Sequence, residues 1–485
     1  MESRTSKVFS LSFAQILLVC SGLISGMVFT RVLTTTDYAT YLQTFLAYDF
    51  AVPLLSLGLP SALYYFLAGN PERQKGLVID NLFLLFLVAI LFSFFLIGGG
   101  TDLLSKRFNN PDIVRTLKWM IWYPLYTLPV LLAPAVWITK GKAQLNAVFN
   151  MVTGIVSTIL LIVSVLLFKD YEAPVLVRII FPAIVFPIYL FFIFRYVPGE
   201  WHWPRLKSMW AILKFSIPLG LASVFGTLAI QLANLIVSAL TSPEAYAVYA
   251  VGAKEIPLIG TITGSIAVVI LADMATKIKD NQIKEALALF NKASLISACF
   301  LFPIMCFLMV HAQSFIVILY SEKYIDSVVP FRIYLLVIPV RIAYYGSAFI
   351  AFGKSKLILM RSLGDLLITG LLCYIFVSIL GENGAALGLL VTLFVWTVPF
   401  NLMTLRKYFD CQFSQILPFP QLFRVFFISI FSALISTVTL LLQLNLIVKF
   451  LISGSIFVLL YVLLAKHYIS EFNYLYKSIL KKIRT

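Results

Sequence analysis

Two cations lie deep inside long apolar runs of this chain, Lys254 in the run 245–272 and Arg341 in the run 330–350. At about 1.5 Å of rise per helical residue, Lys254 stands about 14 Å and Arg341 about 16 Å along its run. An ionised side chain at bilayer depth costs about 2.5–3.5 kcal/mol on insertion scales, so each is a functional candidate. The chemistry open to them is anion binding: arginine offers a planar fork to two oxygens, and lysine acts as a point charge. The competing use is an internal ion pair that holds helices together. Arg178 and Arg332 stand only about 3–5 Å from the outer ends of their runs, where snorkelling to the headgroups competes with ligand binding.

The acids in apolar runs are Asp49, Glu255 and Asp365. Asp49 and Glu255 are candidates for proton or sodium coupling, and Asp365 joins them. Lys254 and Glu255 are neighbours, about 100° apart around a helix, so they do not simply pair with each other. Arg361 and Asp365, four apart on one face, predict an intrahelical ion pair. Gln231 and Asn234, three apart, offer hydrogen bonds either to ligand hydroxyls or to a neighbouring helix. Catalysis has little to stand on. There is no G-x-x-x-x-G-K-[ST] loop, no H-E-x-x-H and no C-x-x-C, and His202, His311 and His467 lie far apart, so neither a catalytic nor a metal set is expected.

The elements that position these residues follow from composition. Of 485 residues, 61% are hydrophobic and 12% charged, with a mean hydropathy of +0.97. A water-soluble fold cannot hide that much apolar surface, so lipid is the solvent for most of the chain. The first apolar run is too long for a cleaved leader and reads as a retained span. Runs able to cross about 30 Å of hydrocarbon number fourteen: six from 8–30 to 175–195, six from 212–240 to 384–404, and a pair at 420–443 and 446–466. The expected fold is therefore all-α and integral to the membrane. Its expected parts are an N-terminal lobe over 1–199, a second six-helix lobe over 200–409, and two further helices with a tail over 410–485.

Most of the 37 lysines and arginines fall in joints that share one side when the N-terminus is cytoplasmic, so N-in, C-in is expected. The +16 balance is spread over short loops rather than one basic face, which argues against nucleic acid. Cys20, Cys299, Cys306, Cys373 and Cys411 read as small hydrophobes rather than disulfide partners or ligands. Prolines 124, 129 and 134 in the fourth run, and 174, 182 and 187 in or beside the sixth, predict bent helices. MATKIKDNQIKEALALF (274–290) and the tail from 468 read as amphipathic helices on the anionic inner leaflet.

A polar phrase recurs. RVLTTTDYATYLQ (31–43) follows the first run and LTSPEAYAVY (240–249) the seventh, 207 residues on when counted from leucine to leucine. An even number of crossings separates them, so both face outside, as expected if six spans were duplicated in parallel. Arg31, at that outer mouth, has no basic counterpart in the second phrase and is a further candidate for an anion path.

GLISGMVFTRVLTTTDYATY with LGLPS at 57–61, FSIPLGLASVFGTLAIQLANLIVSALTSPEAYAVY, and GKSKLILMRSLGDLL leading to GENGAALG together resemble bacterial polysaccharide flippases. These are the O-antigen-type translocases of the multidrug/oligosaccharidyl-lipid/polysaccharide exporter superfamily. The resemblance implies two six-helix lobes around a central cavity that opens alternately to each side. It implies a substrate, an undecaprenyl-diphosphate-linked oligosaccharide, carried to the outer leaflet of the bacterial inner membrane for surface polysaccharide synthesis. It implies no cofactor beyond H+ or Na+ coupling, and membrane lipids, a polysaccharide polymerase and chain-length proteins as partners. Two departures are visible: Asn234 stands where an acid is expected, and Asp365 where an amide is expected. A lipid II-type flippase, a multidrug cation antiporter and a membrane polymerase or ligase remain as alternatives.

Overall fold

The computed structural model describes residues 21–69, 71–254, 256–469 and 472–473. Among these there is helix and no strand. Among the described residues eleven helices are long and apolar enough to cross a membrane. The other three expected crossings are also helical where described: residues 21–32, the helix Leu206–Leu240, and the pair Pro243–Gly252 and Pro257–Lys279. The integral, all-helical fold of about fourteen spans is what the hydropathy pattern predicts. Cys20, Glu255 and nearly all of the tail lie outside the described residues. Cys299, Cys306, Cys373 and Cys411 are free thiols.

The chain divides into two compact units, Met1–Ala247 and Val248–Thr485. In the first, Thr34 caps helix Thr35–Leu55, its hydroxyl accepting from the Asp37 amide at 3.0 Å. Left-handed backbone at Leu57 (φ 50°) and Gly58 (φ 69°) then breaks the chain before helix Leu59–Gly69. A Cβ on Gly58 would lie 2.4 Å from the Ser216 carbonyl oxygen and 2.9 Å from the Gly220 Cα, so LGLPS and FSIPLG meet backbone to backbone. The fourth span, Ile113–Thr139, is interrupted by 3-10 turns at Met120–Trp122 and Pro129–Leu132, as its prolines predict. Helix Glu172–Arg195 instead runs unbroken through Pro182 and Pro187.

The recurring phrase is a pair of capped helix starts in a register of 208 rather than 207. Ser242 accepts from the Ala245 amide at 3.2 Å, and the Tyr38→Thr34 and Tyr246→Ser242 backbone bonds correspond. Leucine is offset by one residue, and caps and tyrosines agree. The two starts also touch: Thr36 Oγ1 donates to Glu244 Oε1 at 2.7 Å.

In the second unit the structure corrects two expectations. Segment 274–290 is not one helix lying on the membrane. It is the end of Pro257–Lys279 and the start of Ile283–Val310, joined by a turn with Asn281 left-handed (φ 62°). The two helices pack against each other on either side of that turn. The runs carrying Lys254 and Arg341 are not continuous helices either. The first breaks between Gly252 and Pro257, and the second is divided into Val328–Leu335, Ile338–Arg341 and Tyr345–Ala351.

Candidate functional site

The first unit's charged centre joins two sequence candidates. Asp49 on helix Thr35–Leu55 and Arg178 on helix Glu172–Arg195 form an ion pair at 3.4 Å. Tyr41, Phe45 and Tyr48 follow at spacings of four and three and therefore share the helix face next to Asp49. The Arg178 guanidinium lies 3.9 Å from the Phe45 ring centroid and 5.8 Å from that of Tyr41, a cation–π cage. Tyr123 closes it, with its ring 5.6 Å from Phe45 and 5.0 Å from Tyr48. Tyr126 donates to the Ile179 carbonyl at 2.8 Å and Tyr48 bonds Thr127, so the cage ties three spans. Both charged side chains keep partial access, 41% for Asp49 and 29% for Arg178. An anion approaching Arg178 must therefore compete with Asp49.

Beside this pair lies a network that the sequence reading did not single out. Buried Gln43 donates to Ser238 Oγ at 2.9 Å and accepts from Asn110 at 2.7 Å, and Thr44 bonds Thr116 at 2.7 Å. The available signal was Thr40, Gln43 and Thr44, three polar residues on one helix face of an apolar run. Asp80 was also missed. It is 1% exposed, pairs with Arg73 at 3.2 Å and accepts from the Arg205 amide at 3.0 Å. Its signal was an acid near the start of the apolar run 77–98, with Arg73 in the joint just before it.

The remaining first-unit candidates have local partners. Arg31 donates to the Met27 carbonyl at 2.9 Å, one turn back. Asn234 donates to Gln231 at 3.2 Å, so these two amides bond each other.

In the second unit the break after Gly252 and the end of Ile338–Arg341 bring Lys254 and Arg341 to one cavity of about 20 Å3. Ile256, Ile259, Phe331, Leu335 and Ile338 make most of its remaining wall. The break has a steric reason: a Cβ on Gly252 would meet the Ser327 carbonyl oxygen at 2.5 Å and Pro330 Cγ at 2.7 Å. Only glycine lets those elements approach, and Pro257 starts the next helix where its missing N–H is harmless. Interrupted helices leave backbone polar groups unpaired, which membrane proteins tolerate where the break is buried or lines a cavity.

Arg361 and Asp365 form the expected i,i+4 pair at 3.4 Å, and Thr397 donates to Asp365 at 2.6 Å. Arg332 Nε donates to the Met309 carbonyl at 3.2 Å and so caps the end of helix Ile283–Val310. That contact gives Arg332 a structural task.

A family model described as polysaccharide biosynthesis protein matches residues 5–272, just over half of the chain. The chain belongs to that family. No curated protein sequence matches this family member. Its fold is shared with solved transporters. The lipid II flippase MurJ in an inward closed conformation superposes with a TM-score of 0.74 at 16% identity, over 94% of this chain and 98% of that one. An inward-facing multidrug resistance MATE transporter of the MOP superfamily gives 0.62 at 14% identity, over 82% and 94%. A MOP superfamily transporter from Pyrococcus furiosus with a binding pocket of reversed polarity gives 0.55 at 15% identity, over 83% and 95%. At such identities the likeness establishes the fold alone, a multi-pass helical architecture.

Proposed function

We propose that this polysaccharide biosynthesis protein is a flippase. It moves an undecaprenyl-diphosphate-linked oligosaccharide from the inner to the outer leaflet of the bacterial inner membrane by alternating access. The observation that carries the reading is the meeting of Lys254 and Arg341, 87 positions apart, at one cavity whose other walls are mostly apolar. A diphosphate attached to a hydrocarbon chain presents that combination of charge and grease. Unaided, such an anion faces a prohibitive desolvation cost in hydrocarbon. As it stands the cavity holds about one water, so a head group is admitted only when the segments flanking the two helix breaks separate.

Arg178 and Arg31 are secondary anion contacts in this reading, the former released when Asp49 takes a proton or sodium ion. Asp365, already served by Arg361 and Thr397, is the weaker coupling candidate, and Glu255 keeps its sequence-level candidacy. Arg332, as a helix cap, holds the wall near Phe331. Gln231 and Asn234 exchange their mutual bond for sugar hydroxyls. N- and C-termini face the cytoplasm, the duplicated segments are 1–199 and 200–409, and the pair within 410–485 is an addition. A polymerase and chain-length proteins act on the product.

A second reading, a lipid II flippase, is favoured by the superposition over 94% of the chain on a flippase of that kind. The two separate in cells. Deletion should cause lipid-linked surface oligosaccharide to accumulate in the inner leaflet while cell-wall synthesis continues. Unchanged lipid-linked sugar after deletion rules the first reading out, and arrested cell-wall synthesis favours the second.

A further inference from the structure

The stretch RYVPGEWHWPRLKSMW (195–210) carries three of the chain's seven tryptophans. Trp201 is 67%, Trp203 91% and Trp210 70% exposed, with Leu206 at 81% between them. The stretch is held in place. The Arg205 amide donates to buried Asp80 at 3.0 Å, and the Trp201 ring lies 4.8 Å from Phe194 and 5.8 Å from the Lys75 ammonium. Lys142 lies 5.5 Å from the Tyr196 ring. The indoles are therefore presented outward by a fixed scaffold.

The same patch is basic. Arg195, Arg205, Lys207 and Lys142 are exposed and Lys75 is half-buried, while Glu72 and Glu200 are the acids beside them. Its level is fixed by the span ends around it: Glu172–Arg195 finishes there, and Gln74–Arg107 and Ala143–Phe168 begin there. An indole has an apolar body and one N–H donor and is most stable at the boundary between hydrocarbon and headgroup. Lysine and arginine at that level attract anionic phosphates.

We propose that residues 195–210, with Lys75 and Lys142, form a binding surface for anionic phospholipid headgroups on the leaflet that the basic-residue bias places inside. The indoles sit at the glycerol level while the cations hold phosphates, tying the joint between two helices to membrane charge. This surface is independent of the transport reading. Charge complementarity and the span-end position select a lipid leaflet over a soluble protein, which would meet these indoles only above the headgroups.

The test uses the full chain in nanodiscs of phosphatidylcholine and phosphatidylglycerol, with one or the other lipid carrying brominated acyl chains that quench nearby indoles. The emission of the stretch is the wild-type signal minus that of a W201F/W203F/W210F variant. At equal mole fraction, brominated phosphatidylglycerol should quench it at least about twofold more than brominated phosphatidylcholine, as local enrichment by several cations requires. The preference should vanish in R195Q/R205Q/K207Q and, with no substitution at all, in high salt. The salt arm keeps the proposal testable should the charge variant fail to fold, and subtraction of single W203F replaces the triple variant should that one fail. Equal quenching by the two lipids overturns it, leaving an ordinary aromatic belt. Ready quenching by aqueous acrylamide with none by either bromolipid also overturns it, because the stretch then lies in water and faces a soluble partner.

Discussion

Lys254 and Arg341 make the account specific, because each is expensive to keep in lipid and both open on one cavity. Replacing either with alanine should reduce export at least tenfold, equivalent to about 1.4 kcal/mol, with normal amounts of protein in the membrane. If the protein is lost instead, the residue was holding helices together. Asp49 and Arg178 call for a different expectation. Because each is the other's partner at 3.4 Å, Asp49→Asn and Arg178→Gln should each lower stability, and the double variant should lose less than their sum. The coupling should be about 1 kcal/mol, discounted for partial exposure, as read from a thermal-unfolding cycle in detergent. Where the helices Thr35–Leu55 and Pro243–Gly252 start, the Thr36 hydroxyl that donates to Glu244 holds that carboxyl below the ordinary carboxylate range. A depressed carboxylate stabilises the fold above its unfolded pKa, and that contribution disappears as pH falls through the lower folded value. Wild type should therefore exceed Thr36→Val in melting temperature at pH 7, with the gap closing below about pH 4.

At the scale of elements, the helix breaks decide where the cations stand, and they were only partly legible in the sequence. Prolines 124, 129 and 134 announced the interrupted fourth span because proline removes an N–H and clashes with the preceding turn. The break beside Lys254 had an equally physical signature, Gly252 followed five residues later by Pro257, a helix end and a helix start by their usual residues. A window twenty residues wide averages that punctuation away, and so does the rise-per-residue count that placed Lys254 14 Å along a continuous helix. Segment 274–290 failed for the opposite reason, since its turn is made by Asp280, Asn281 and Gln282 without glycine or proline. The ion pair of Arg361 and Asp365 was legible because it is local, whereas the cage on Arg178 joins residues more than a hundred positions apart. Close crossings also belong to this scale. Gly58→Ala must separate two backbones at a left-handed position, so it should destabilise the protein by about 1–3 kcal/mol in denaturant unfolding. A surface alanine exchange in the helix Leu59–Gly69 that follows should leave stability unchanged.

For the whole molecule, hydropathy was enough for the all-helical membrane class and the approximate span number, since crossing a bilayer forces every backbone polar group into helices, whereas the transporter-like fold was legible only through the resemblance carried by LGLPS, FSIPLG and GKSKLILMRSLGDLL. The recurring phrase was legible as a repeat, and its exact register awaited the caps at Thr34 and Ser242. Substrate identity is the least legible level, because a cation reports an anion and does not name the sugar attached to it. The most direct measurement is therefore made with the anion itself. Full-length protein would be reconstituted in liposomes carrying labelled undecaprenyl-diphosphate-linked oligosaccharide, and appearance of the label on the opposite leaflet followed with time. The account predicts wild-type translocation and a rate at least about tenfold lower for K254Q/R341Q at equal reconstitution and helicity. Translocation by that double variant at the wild-type rate would contradict it.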